Sequence, residues 1–264
     1  MRVSEPRIIY DACPLCESTA ILEHKISRCD HHPLYHDALP SEIRWMRCTS
    51  CAHSFTDGYW SAEALSYLFA STNPNQMPGS NPHGSRAVSA RMVEKVIRHL
   101  DKPEGRWLDI GFGNGALLGT AEEYGFSPVG LDLRERPVEL MRLDGIEAHV
   151  MEFEAYHPEQ PLNVISMADV LEHLPFPGTA LRHAHQILAT HGLLLVSMPN
   201  SDCYAWRMLD RMNANPYWGE LEHYHNFGKQ RLYALLEEHG FEPLSYGISE
   251  RYYLCMEVIA HKRS

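Results

Sequence analysis

The stretch Leu108-Asp109-Ile110-Gly111-Phe112-Gly113-Asn114-Gly115 decides the fold. Before it, Arg106 to Ile110 reads as a short buried strand, and after it Ala116 to Tyr124 reads as a helix. The glycines between them let the backbone turn sharply and approach a ligand with no Cβ in the way. Gly111, Gly113 and Ala116 also fit the G-x-G-x-x-G/A dinucleotide fingerprint, with Asp132 near the usual distance downstream. Asp109 argues against that assignment. A pyrophosphate binds the bare positive end of a helix, and a carboxylate at the strand tip repels it. The same carboxylate suits a cofactor that carries an ammonium group and a sulfonium.

S-adenosylmethionine has both groups, and the run Asp109 to Gly115 resembles the cofactor loop of class I S-adenosylmethionine-dependent methyltransferases. Later motifs repeat the resemblance in the family's order over residues 86 to 264. The resemblance implies a cofactor set of Asp109, Gly111, Phe112 and Gly113 in the loop, with Asp132 and Leu133 after the second strand. Glu152 and Phe153 after the third strand and Met167 and Ala168 after the fourth complete it. Asp132 is placed to accept both ribose hydroxyls. Glu152 is expected near the adenine amino group and Phe153 against the ring.

The alternation of strands and helices predicts an α/β fold with a doubly wound, mostly parallel sheet. Strands are expected at 128–131, 148–151, 164–167 and 192–198, and helices at 135–143, 179–189 and 229–239. Gly192 to Met198 is a continuous apolar run, as in a strand covered on both faces. In the family the last two strands, here Leu244 to Tyr246 and Tyr253 to Ala260, form an antiparallel hairpin at one edge, which gives seven strands.

The 264 residues suffice for a core plus an accessory module. Five of the seven cysteines fall between residues 13 and 51. Cys13-Pro14-Leu15-Cys16 and Cys48-Thr49-Ser50-Cys51 are two C-x-x-C knuckles, which bring four thiolates onto one tetrahedral ion, typically a structural zinc. Ile43 to Arg47 reads as a strand leading into the second knuckle, as in a zinc ribbon. Cys29, His31, His32 and His36 lie between the knuckles and read as a polar loop rather than a second metal site. The layout is a zinc-ribbon module over 1–60, a linker or lid with a helix over 61–100, and a cofactor domain over 101–264. Ser61 to Phe69 and Arg86 to Leu100 are expected to be helical, and the Pro-, Gly- and Asn-rich stretch 71–84 irregular.

A net charge of −11 and the lack of a basic stripe argue against nucleic acid as a partner. No run approaches the length of a membrane span, and the N-terminal residues lack a signal-peptide pattern, so the cytoplasm is the expected compartment.

Asp169-Val170-Leu171-Glu172-His173-Leu174-Pro175 resembles the matching stretch of methyltransferases that act on small molecules. His173 borders the reaction centre or caps the following helix. Tyr204, Trp206, Tyr217, Trp218, Tyr224 and Phe227 are candidates for an acceptor pocket, with at least half expected to be plain packing. Glu222-His223-Tyr224-His225 is the densest set of proton-transfer groups. This combination is similar to that of nucleotide-sugar C-methyltransferases, in which the pair matching Glu222 and His223 is catalytic. Ser264 follows closely after the last expected strand, so the long C-terminal domain of those enzymes is not expected here. The expectation is therefore methyl transfer to a small molecule, a sugar or specialised metabolite, with O- ahead of C- and N-methylation and His223 ahead of His225 as the base. A nucleotide-dependent oxidoreductase and a non-catalytic zinc scaffold are the rivals.

Overall fold

The computed structural model describes residues 3–68 and 76–263. In chain order, strands β1 (Arg7–Ile9), β2 (Ile21–Arg28), β3 (Glu42–Cys48), β4 (Ser54–Thr56) and β5 (Gly58–Trp60) precede helix α1 (Ala62–Leu68). Next come α2 (Pro82–Ile97), β6 (Gly105–Ile110), α3 (Ala116–Glu123), β7 (Phe126–Asp132), α4 (Glu135–Leu143), β8 (Glu147–Val150) and β9 (Leu162–Ala168). The chain closes with α5 (Pro177–Ile187), β10 (Leu188–Pro199), α6 (Tyr204–Arg211), β11 (His225–Asn226), α7 (Lys229–Glu238), β12 (Phe241–Ile248) and β13 (Cys255–Lys262). Among the described residues no helix is long and apolar enough to cross a membrane.

These elements fall into two compact units. The first, the sheet unit, comprises Asn73–Leu171, Gly178–Met198 and Leu236–Ser264. Its seven strands lie in the order β12-β13-β10-β9-β6-β7-β8, with β12 and β13 antiparallel at one edge and the pairs from β10 to β8 parallel. The strand–helix alternation predicts such a doubly wound, mostly parallel sheet, and the antiparallel edge pair is the one that the resemblance to class I methyltransferases implies. From β6 the chain moves outward through β7 to β8, then returns to the other side of β6 with β9 and β10. Ligands of such sheets bind beyond the carboxyl ends of the strands where the direction reverses, here β6 and β9.

The apolar residues of β6, β9 and β10 are buried, and Trp107 anchors one layer against Met92, Val93 and Val96 of α2 and Phe126 of β7. Its indole N–H is satisfied by the Ser166 hydroxyl at 2.9 Å. Burying an indole of about 200 Å² contributes about 5 kcal/mol before conformational entropy is subtracted.

Several boundaries differ from the sequence reading. Helix α2 starts at Pro82 rather than Arg86, because proline is tolerated in a first helical turn, where its missing N–H would have no partner. It ends at Ile97, three residues before Leu100. Of the stretch 71–84 read as linker or lid, residues 71–75 lie outside the described residues, and residues 82–84 belong to the first turn of α2. Helix α5 passes directly into β10, which begins at Leu188 rather than Gly192 and carries an irregularity between Leu188 and Leu193. Helix α6 had no clear sequence signal.

The second, cysteine-bearing unit comprises Met1–Thr72, Glu172–Pro177 and Pro199–Leu235, and so draws on three segments rather than on residues 1–60 alone. Its antiparallel sheet has the order β11-β4-β3-β2, so a strand from late in the chain completes it. Trp45 and Trp60 are fully buried, and both indole N–H groups donate to carbonyls of the late segment, Trp218 at 2.8 Å and Leu221 at 2.6 Å. Buried indoles require such partners, which fixes the late segment to the early one.

Candidate active site

In the sheet unit, Asp109 sits next to the carboxyl end of β6, opposite Ser166 of β9. The Ser166 hydroxyl donates to Asp109 Oδ1 at 2.6 Å. Burial pushes the Asp109 carboxyl up to about 7, against the opposing pull of Ser166 and the Arg251 guanidinium and with a further push from Asp132. A buried carboxylate of this kind is stabilised by an incoming cation, and the ammonium or sulfonium of S-adenosylmethionine fits it. Gly111, Gly113 and Gly115 all have positive φ, between 58° and 71°. At Gly113 a Cβ would meet only the Gly111 carbonyl, at 3.9 Å, so the loop backbone stays open to a ligand. Asn114 ties this loop to the first turn of α2 by donating to the Ser85 hydroxyl at 3.0 Å.

Asp132 ends β7 as expected, but its carboxylate already has partners. The Arg134 backbone N–H and Nε donate to Oδ1 at 3.0 and 2.8 Å, and Nη2 donates to Oδ2 at 2.7 Å. The Asp132 carboxylate is thus gripped by an arginine fork. Leu133 is 62% exposed and available to a ligand. Phe112 instead packs into the apolar cluster of Leu118, Val138 and Met141, so what it offers a ligand is backbone. Glu152 is exposed and caps a short 3-10 turn at Phe153–Ala155. The Phe153 ring is buried edge-on against His183, with centroids 4.8 Å apart. Met167 is wholly buried within β9, and the Ala168 carbonyl accepts from Arg251 at 3.4 Å.

In the cysteine-bearing unit, Cys13, Cys16, Cys48 and Cys51 each place a sulfur within 4.8 Å of the others. Cys13 and Cys51 are 3.7 Å apart, and Cys16 and Cys48 are 3.6 Å apart. Thiolates about 2.3 Å from a tetrahedral zinc lie about 3.8 Å from each other, so the cluster has the dimensions of an S4 site. Burial opposes the Cys48 thiolate, but the N–H groups of Cys51 and Ser50 outweigh it and bring that thiol down to about 7.

The histidines of this unit form two groups. Glu172, His173 and His223 lie within 4.8 Å of one another through one ligating atom each. His173 Nδ1–H donates to the Glu222 carbonyl at 2.8 Å, and its ring meets that of His223 edge-on at 4.7 Å. His223 is 8% exposed, and its Nδ1 has no hydrogen-bond partner among the described residues. Burial pushes the His223 imidazole down to about 3, with the neighbouring His173 adding to the effect and Glu220 opposing it. Glu222 thus contributes a carbonyl, and the acids close to His223 are Glu172 and Glu220.

His225 belongs to the other group. Its Nε2–H donates to the Leu174 carbonyl at 2.9 Å, which leaves Nδ1 to accept from His53 Nε2–H at 3.0 Å. Both ring nitrogens are occupied. Burial lowers His225 to about 4, though the backbone carbonyls of Leu174 and Pro175 oppose the shift. Of the six aromatic candidates, Trp206, Trp218, Tyr224 and Phe227 are buried and pack this unit, while Tyr204 is 71% exposed. Tyr217 stacks between Trp206 and His223, with interplanar angles of 25° and 23°.

A family model described as a methyltransferase domain matches residues 85–246. The chain belongs to that methyltransferase family. It is thereby a member of the class I S-adenosylmethionine-dependent methyltransferases. The chain is similar to a ubiquinone biosynthesis O-methyltransferase of Proteus mirabilis, 29% identical over 110 residues, which cover 39% of this chain and 45% of the relative. A Yersinia pestis enzyme of the same name is 28% identical over 113 residues, 40% of this chain and 47% of that one. The chain thus spans about half the length of the curated relatives it matches.

Among solved structures, the Burkholderia thailandensis 1,6-didemethyltoxoflavin-N1-methyltransferase, bound to 1,6-didemethyltoxoflavin and S-adenosylhomocysteine, has a TM-score of 0.59 at 20% identity. The match covers 80% of this chain and 96% of that one. Magnesium protoporphyrin IX methyltransferase of Synechocystis PCC 6803, with bound S-adenosylhomocysteine, gives 0.56 at 16% identity over 69% of this chain and 84% of the other. These two likenesses concern the fold.

Two groups in this methyltransferase escaped the sequence reading. Asp169, just past β9, has φ of 59° and accepts from the Ser197 hydroxyl at 3.1 Å, with Arg251 at 3.5 Å. An Asp after a buried strand is a recognisable candidate for that left-handed conformation, but Arg251, in the β12–β13 connection, carries no sequence signal. Glu172 stood within a quoted motif, yet only the fold brings it to His223.

Proposed function

We propose that this methyltransferase transfers a methyl group from S-adenosylmethionine to a small, ring-bearing acceptor, with oxygen favoured over carbon and nitrogen as the receiving atom. The buried Asp109 beside a glycine loop at the reversal of the sheet is the observation that carries the cofactor. S-adenosylmethionine supplies a methyl group already activated on a positively charged sulfur. Asp109 binds positive charge, the open backbone at Gly113 admits the ligand, and Asp132 holds hydroxyls. The acceptor class rests on the relatives' names, which point to a toxoflavin precursor, a porphyrin and ubiquinone biosynthesis. Oxygen ranks first because the curated relatives are O-methyltransferases.

His223 is the proton acceptor we favour. Burial keeps its imidazole neutral and its Nδ1 is free to receive a proton. So weak a base alone achieves little at neutral pH; the Glu172 carboxylate beside it stabilises the imidazolium that forms. The four cysteines hold a structural zinc in this reading, which fits their spacing and requires reduced thiols, hence the cytoplasm.

Calorimetric titration with S-adenosylmethionine and with NAD, followed by methyl transfer to a panel of phenols, catechols and nitrogen heterocycles, tests the reading. Binding of NAD alone would end it.

A further inference from the structure

We propose that Glu172, His173 and His223 form a second metal site, separate from the four-cysteine cluster, that takes a divalent first-row transition ion. The inference goes beyond the reading above, because binding of the ion does not depend on methyl transfer.

One ligating atom from each residue lies within 4.8 Å of the other two. Because His173 commits Nδ1–H to the Glu222 carbonyl at 2.8 Å, the neutral ring carries its lone pair on Nε2. That Nε2 is 3.9 Å from Glu172 Oε1. A lone pair and a carboxylate oxygen face each other at a distance that an ion between them would bridge. The hydrogen bond from His173 to a backbone carbonyl is also the outer contact that orients metal-bound histidines. His223 supplies the independent observation: it is 8% exposed, and its Nδ1 has no partner among the described residues. Glu172 is 1% exposed, and the nearby Glu220, 2.7 Å from His32, adds a second negative group to the field.

Two imidazoles and one carboxylate suit zinc, manganese, iron or cobalt rather than calcium or magnesium, which prefer oxygen. Ligands about 2.1 Å from an ion lie about 3.0–3.4 Å from each other, so binding draws the three atoms in by about 1 Å, within reach of side-chain torsions. Three protein ligands leave at least one position open, the arrangement of catalytic rather than structural sites. With the ion bound, His223 would act as a ligand in place of the proton acceptor proposed above, and an acceptor oxygen on the ion would lose its proton to solvent more readily, as metal-bound water does.

Cobalt(II) added to the full-length protein, with the zinc left in its cysteines, tests the proposal because zinc is spectroscopically silent. The wild type is expected to develop saturable visible bands of a nitrogen- and oxygen-ligated cobalt, one equivalent per chain, without thiolate charge-transfer bands. Glu172→Gln and His223→Ala should each weaken that signal by more than the about 10–100-fold that loss of a mere supporting group costs, with the zinc content unchanged. No saturable signal in the wild type overturns the proposal whatever the variants do. Thiolate bands alone, or equal signals in the wild type and in variants whose circular dichroism is native, overturn it as well. Titration with S-adenosylmethionine in the same samples separates this failure from failure of the functional reading.

Discussion

Ser166 of β9 gives its hydroxyl hydrogen to the Asp109 carboxylate of β6 across 2.6 Å, at the point where the sheet reverses direction. The contact offsets part of the cost of burying that carboxylate, and what remains leaves its pKa near 7. A cation that binds Asp109 must therefore first displace a proton at mildly acidic pH. S-adenosylmethionine affinity should fall about 10-fold per unit as pH drops below about 7, because the carboxylate form binds and the acid form does not. Calorimetry in buffers of different ionisation enthalpy should detect proton release near pH 6. Binding that releases no proton would remove Asp109 from the site.

Asp109→Ala and Asp132→Ala should each weaken S-adenosylmethionine by about 1.5–3 kcal/mol, the value of a charge-assisted hydrogen bond. For Asp132 the loss should stand at the low end, since Arg134 already holds three hydrogen bonds to the carboxylate. Unchanged affinity in both variants would place the cofactor elsewhere.

Cys48→Ser should abolish stoichiometric zinc and loosen the cysteine-bearing unit, because ligand and fold are coupled. Hydrogen exchange should then rise over both residues 1–60 and residues 199–235, since β11 pairs with β4. A rise confined to the first 60 residues would contradict the three-segment composition of the unit. Absence of zinc in wild type purified without chelator would rule out the metal.

His223→Ala should lower the methyl-transfer rate by about 10²–10⁴-fold with S-adenosylmethionine affinity little changed, if the imidazole takes the acceptor proton. His225→Ala should act on stability instead, by about 1–3 kcal/mol, because it leaves His53 and the Leu174 carbonyl without their buried partner. Thermal melts beside initial rates distinguish the two, and a His225 variant that is stable but slow would reverse the assignment.

Acid should destabilise the cysteine-bearing unit well before its carboxylates titrate. His53, His223 and His225 are all held neutral by burial, with His225 lowered to about 4. Below about pH 6.5 the unfolded chain binds protons that the folded one refuses, so stability falls with pH by about 1.4 kcal/mol per unit for each such histidine. The Glu220–His32 pair works the other way. His32 is raised, so its share is present below about 6.5, and Glu220, lowered to about 2, keeps its share down to its unfolded value. Exchange protection of residues 199–235, followed between pH 7 and 4.5, should therefore decline. A flat profile would show that these histidines are solvated.

The sheet was legible because its signals are local. Glycines 111, 113 and 115 announce a tight turn, and the apolar run 192–198 announces a central strand. Asp109 distinguished one ligand chemistry from another by charge alone. What the sequence hid depends on distance along the chain. Glu222 stands beside His223 in sequence, yet it turns only its carbonyl to His173, and Glu172 reaches the pair because the backbone N–H of Tyr224 bonds the Glu172 carbonyl. His225 ranked behind His223 only by its neighbour in sequence; its engagement by His53, a residue just past the second knuckle, is set by the fold. In the aromatic stretch 204–227 the expectation that at least half would pack holds for Trp206, Trp218, Tyr224 and Phe227, but which ones could not be read, because aromatics that line a cavity and those that fill a core share one composition.

The pairing of β11 with β4 also bears on how the protein is made. During synthesis β2, β3 and β4 emerge early, but the edge of β4 stays bare until His225 and Asn226 have been translated. Trp45 and Trp60 likewise wait for the carbonyls of Trp218 and Leu221. At about 5–20 residues per second, that interval lasts about 8–35 s. Through it the nascent chain carries an open strand edge and two indoles without hydrogen-bond acceptors, a template for pairing with another chain. Early capture of an ion by the four cysteines would not shorten that interval, but by pinning the end of β3 at Cys48 to the first knuckle it would leave the early sheet less free to pair wrongly during it, so the metal supply at the ribosome would bear on the yield of soluble protein.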